Sequence, residues 1–140
     1  MSQTLITTLG RSSEPTTLLR RFLALDAVVT ATNGLAYLAA SGPLGRLLGV
    51  DSGLLLGLGA FLTLYAAWVG FLASRPQPPV LGVKLVIEAN IVWALASLVA
   101  LFTWFDASAA GATWIPLQAL VVGGFAALQH FALRACTPRA

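Results

Sequence analysis

Four long apolar runs, separated by short polar or proline-rich breaks, organise the chain. The first extends from Phe22 to Ala40 (FLALDAVVTATNGLAYLAA) and meets a break at Ser41-Gly42-Pro43. The second, Gly53 to Ser74, is closed by RPQPP, Arg75 to Pro79, because adjacent prolines cannot continue a helix. The third begins at Val80 and fades near Trp104. The loop DASAAG, Asp106 to Gly111, then leads to the fourth, Trp114 to about Leu133. Each run approaches the ~20 residues that a helix needs to cross the hydrocarbon core. The pattern predicts an all-α, polytopic membrane protein with four transmembrane helices in an up-down bundle, at about 20–40, 53–74, 80–104 and 112–134. Together they make one domain over 18–135, with a flexible tail at 1–17 and a short second tail at 136–140.

Composition agrees with this class. The chain is 58% hydrophobic and only 9% charged, whereas soluble domains carry about 25% charged residues. Its mean hydropathy is +0.86. The first run is too long for the apolar part of a cleavable signal and carries Asp26 and Asn33, so it reads as a span. The lone cysteine, Cys136, forms neither an intrachain disulfide nor a CxxC redox pair.

Charge sets the expected orientation. Arg11, Arg20, Arg21, Arg75, Lys84, Arg134 and Arg139 all fall on one side of a four-span topology, and Arg46 falls on the other beside Asp51 and Asp106. That asymmetry predicts cytoplasmic N- and C-termini. The basic residues report orientation here, and no aromatic-basic interleaving suggests a nucleic-acid partner. Trp104 and Trp114 flank the short outer loop at aromatic-belt positions. A faint internal repeat, Leu23-Ala-Leu-Asp26-Ala27 against Leu85-Val-Ile-Glu88-Ala89, suggests two related helical hairpins.

Polar residues within the runs supply the candidate chemistry. At ~100° per residue, Asp26, Thr30, Asn33 and Tyr37 share one stripe of the first helix, which must face protein or a cavity. The second helix carries Gly53-LLL-Gly57, read as a packing motif, on a stripe with Ala60 and Ala67. On the third, Glu88 shares a side with Val92, Leu95 and Val99, while Asn90, Trp93 and Ser97 lie nearly opposite. With two faces unsuited to lipid, this helix is either buried on both sides within the bundle or meets another subunit through one of them, which supports a homodimer. The fourth aligns Gln118, Val122, Phe125 and Gln129, with Gly123, Ala127 and His130 on a second face. Asp26, Glu88, Gln129 and His130 are expected to form one polar layer, and Asn33, Tyr65, Trp93 and Gln118 a deeper one.

Two readings of the acids stand side by side. In the structural one, Glu88 pairs with Lys84, and Asp26 pairs with Arg134 or His130. In the other, Asp26 and Glu88 share a desolvated pocket, as proton-exchanging groups of a binding site or as catalytic acids. Tyr37, Tyr65, Trp93 and Phe125 would line that pocket for an apolar or cationic ligand. Three functions follow: binding or transport of a hydrophobic or cationic small molecule, acid-base catalysis on a lipophilic substrate, or a structural subunit. One histidine without a ligand-spacing motif argues against a metal, and no cofactor is implied.

The run LALDAVVTATNGLAYLAASGPLGRLLGVDSGLLLGLGAF, followed by LVIEANIVWALASLVAL and TWIPLQALVV, resembles a family of small four-helix integral membrane proteins from high-GC bacteria. The resemblance covers about residues 18 to 134 and implies four spans in a bacterial plasma membrane. It carries no activity. Small multidrug resistance transporters are similar in size and have an acid in the first helix, a place Asp26 would hold, but the rest of their pattern is absent. Asp26 and Glu88 would suit the cation chemistry of membrane-embedded terpenoid cyclases, whose motifs are likewise absent.

Overall fold

The computed structural model describes residues 2–103 and 107–136, with side chains from Glu14 onward. Five helices follow one another: α1 (Ser2–Ala39), α2 (Ser41–Leu48), α3 (Ser52–Ser74), α4 (Val80–Thr103) and α5 (Ala109–Cys136). All but α2 are long and apolar enough to cross a membrane. The four-span bundle predicted from the pattern is therefore the fold. One boundary differs. Segment 1–17, expected as a tail, is helical from Ser2. It holds one proline, Pro15, and nothing like the paired prolines that end α3. Trp104 and Asp106 lie outside the described residues.

Ser41-Gly42-Pro43 breaks α1 but opens α2, where Pro43 sits in a first turn that tolerates it. Gly49 closes α2 in the left-handed conformation, φ 71°, which glycine adopts without a Cβ penalty. Asp51 then caps α3, its Oδ2 accepting from the Leu54 amide at 3.1 Å. α2 is also tied to the α4–α5 connection, where Ser108 donates through its amide to Leu48 O at 3.2 Å.

The spanning helices pack as two pairs, α1 on α3 and α4 on α5, joined mainly through α1 against α5. α1 and α3 approach each other closely at two glycines. A Cβ on Gly59 would come within 2.8 Å of Gly34 O, and one on Gly34 within 2.9 Å of the Thr63 amide nitrogen. The expected Gly53–Gly57 motif is not the packing contact. Both glycines are exposed, and a Cβ on Gly57 would meet nothing within 4 Å. The motif lies on the wrong side of α3, and Gly59, two residues on, faces α1.

α3 and α4 are consecutive yet scarcely touch backbone to backbone. Near their turn, an apolar cluster joins all four spans, with Leu23, Val69, Val83 and Leu133 among its members. Beyond Asn90, no described residue of α4 is buried. The bundle is therefore closed at the arginine-rich end and hollow toward the other.

Candidate functional site

The polar stripe of α1 faces inward, as its spacing requires. Asp26 is 1% exposed, Tyr37 is buried, and Thr30 and Asn33 are half-buried. Asp26 is the hub. Its Oδ1 accepts from Thr30 Oγ1 at 3.0 Å, and its Oδ2 accepts from Asn90 Nδ2 and Gln129 Nε2, both at 2.8 Å. The second hydrogen of the Asn90 amide goes to Gln129 Oε1 at 3.1 Å. Asn90 Oδ1 in turn accepts from the Tyr65 hydroxyl at 3.1 Å. One carboxylate thus gathers a donor from α1, one from α4 and one from α5, with α3 attached through Tyr65. Asn90 and Gln129 are almost fully buried, and no buried polar side-chain atom among the described residues lacks a partner. Such closure matters because an unpaired polar group in hydrocarbon costs several kcal/mol.

This arrangement corrects the expected acid pair. Glu88 is exposed on the outer face of α4. Asn90, two residues on and ~200° around the helix, is the residue that meets Asp26. Asp26 pairs with neither Arg134 nor His130, both exposed, and its partners are neutral donors. Among the described residues Glu88 and Lys84 form no ion pair. The repeat relating Leu23–Ala27 to Leu85–Ala89 therefore aligns an inward acid with an outward one. The expected layers also regroup. Tyr65 joins the Asp26 layer, while His130 leaves it for the outer surface.

Above this floor lies a cavity of about 410 Å³. Thr30, Asn33, Tyr37, Tyr65, Asn90, Trp93 and Gln118 all line it, together with Phe61, Trp114 and Phe125. Asp26 itself does not. It stands behind Thr30 and Asn90, which are bonded to it and do line the cavity. The wall between α3 and α4 is an aromatic stack. Phe61 lies between Tyr65 and Trp93, with ring centroids 6.0 and 6.2 Å apart. Phe61 lines the cavity and is itself 53% exposed, which makes this wall thin.

Two indole hydrogen bonds, Trp93 Nε1 to Gln118 Oε1 at 2.8 Å and Trp114 Nε1 to Tyr37 OH at 3.0 Å, cross the space. The same four residues line a second hollow of about 240 Å³, so they partition the two. Asn33 differs from its neighbours. Its amide borders the cavity and has no hydrogen-bond partner among the described residues. Phe61 and Trp114 were not among the expected site residues. Trp114 reads as an interfacial anchor in the sequence, and Phe61 shows only as an aromatic one turn before Tyr65.

No protein-family model, curated protein or solved structure matches the chain.

Proposed function

We propose that the cavity holds a lipophilic small molecule with a cationic or hydrogen-bonding head, taken up from the bilayer. Asp26 carries this reading. It is a buried carboxylate held by three neutral donors, with no cationic partner among the described residues, beneath an aromatic-walled cavity. Three hydrogen bonds orient a carboxylate, but they leave its charge uncompensated in a low-dielectric setting. A cation in the cavity would be attracted both by that charge, relayed through Thr30 and Asn90, and by the surrounding ring faces. Asn33 would supply the hydrogen bond it now lacks. The thin Phe61 wall gives a lateral route from lipid between α3 and α4. Transport by exchange across the Trp93–Gln118 and Trp114–Tyr37 partition extends the same reading.

Arginine distribution supports both termini lying in the cytoplasm of a bacterial plasma membrane. Catalysis by an Asp26–Glu88 pair has no support, because Glu88 is exposed, the two acids do not meet, and neither lines the cavity. A purely structural role is favoured by one observation. The Asp26 network ties all four spans together, as interhelical polar contacts do in membranes.

Native mass spectrometry of gently extracted protein separates these readings. Wild type should retain a small molecule, and Asp26→Asn and Asn33→Leu should lose it while the helices stay assembled. Titration with tetraphenylphosphonium should show saturable binding that falls in both variants. Equal occupancy in all three proteins, or none in any together with no phosphonium binding, would leave the structural role.

A further inference from the structure

Glu88 lies eight residues into α4, ~12 Å along its axis and one turn past Lys84, on a face otherwise suited to lipid. It has neither ion pair nor hydrogen bond among the described residues. Val92, Leu95 and Val99 continue its row at spacings of four, three and four, all 59–64% exposed. Any outward helix face shows such spacing, so the period alone means little. What distinguishes this row is the acid within it and the surface beside it. On α5, a Cβ added to Gly123 or Gly124 would meet nothing within 4 Å. Ala127 and His130 continue that outer face, both exposed. Asn90 and Gln129 hydrogen-bond across α4 and α5. Glu88, two residues before Asn90, and His130, one after Gln129, therefore stand at the same depth to within about a turn.

We propose that the outer face of α4 and α5 is the interface of a homodimer whose two-fold axis runs along the membrane normal. The Val92–Leu95–Val99 ridge of one copy lies against the small-residue surface at Gly123, Gly124 and Ala127 of the other. Glu88 pairs with His130 of the second copy. An axis along the normal preserves depth, so each residue can meet only residues at its own level. An acid and a base at one level on one face are then self-complementary, and the pair forms twice. Lipid is as apolar as the ridge, so burial of leucine and valine does not drive association. Close packing against small residues and a polar pair withdrawn from hydrocarbon do.

Site-directed crosslinking tests this in a Cys136→Ser background. Glu88→Cys and His130→Cys chains are purified separately, reconstituted into liposomes alone or mixed, and treated with a short thiol-reactive crosslinker. A covalent dimer should form from the mixture and far less from either chain alone. Leu64→Cys, on the exposed face of α3, should give none with either. Absence of the mixed product, or a yield that Leu64→Cys matches, overturns the proposal. Subunit counting in liposomes by single-molecule photobleaching adds an unlinked readout. Wild type should count as two copies, with Glu88→Leu associating roughly ten- to several-hundred-fold more weakly, since the substitution removes two symmetry-related contacts, each in the range of an interhelical hydrogen bond. Monomers at every protein-to-lipid ratio, or co-purification of a different protein in place of a second tagged copy, also overturn it.

Discussion

Asp26 and Glu88 are both carboxylates of spanning helices, a few ångströms apart in depth, and the bundle treats them oppositely. Asp26 is enclosed by three donors from three helices. Glu88 faces outward with none among the described residues. The difference comes from helix phase. Asn90 shares α4 with Glu88 only two residues away, yet it is the one that completes the inner network. In a membrane bundle, the face that a polar residue occupies decides whether it builds a site or an interface, and depth does not separate the two.

The largest effect should follow replacement of the inner acid by a residue that cannot accept. Asp26→Leu leaves the Asn90 and Gln129 amides without their carboxylate, at about 1–3 kcal/mol for each buried donor left unpaired. Unfolding in mixed micelles, followed by circular dichroism against rising dodecyl sulfate, should show that loss. Asp26→Asn keeps one acceptor and should fall between the two. A wild-type transition in Asp26→Leu would mean that the network contributes no stability and would dissolve the contrast with Glu88.

A second pair sharpens the same lesson on α3. Gly59→Leu drives a side chain into the Gly34 carbonyl, 2.8 Å from the position of its Cβ. Overpacking of this kind costs about 1–3 kcal/mol. Gly57→Leu meets open space and should leave the unfolding transition in place. Reversal of that order would restore the GxxxG reading of Gly53 and Gly57.

These cases mark how far the sequence could be read. Run lengths and breaks located the four spans to within a few residues, except at the start of α1, because span length is imposed by the bilayer. The stripe of Asp26, Thr30, Asn33 and Tyr37 was legible from spacing alone, as was the row joining Gln118 to Gln129. Choosing the α4 residue that faces Asp26 was not. Asn90, Trp93 and Ser97 already marked an inward face on α4, but charge favoured Glu88, and an apolar background offers little phase information. Phe61 was invisible for a related reason. An aromatic residue suits lipid and cavity equally well, and only the separation of α3 from α4 makes it a wall.

That wall yields a smaller effect. Phe61→Ala removes the ring between Tyr65 and Trp93, and aromatic pairs contribute about 0.5–1.5 kcal/mol beyond their burial. Phosphonium affinity should fall by roughly two- to twelve-fold in equilibrium titration. Because the ring is half exposed, unfolding should change far less than in Gly59→Leu. Unchanged affinity would remove Phe61 from the ligand's route.

The smallest effect on the individual chain should come from Glu88→Leu, and its smallness is informative. Glu88 holds no partner among the described residues, so a leucine there costs none of the described internal bonds and adds one more residue to an apolar row. At protein-to-lipid ratios low enough to isolate single copies, unfolding should coincide with that of wild type. At high ratios the two should separate, because only wild type gains the contact with His130 of a second copy. The ratio dependence is what distinguishes an interfacial acid from a site acid. Asp26→Leu should be destabilised at every ratio, since its lost partners are on its own helices. Equal destabilisation of Glu88→Leu at all ratios would place Glu88 among the internal supports of the bundle and erase the distinction between the two carboxylates.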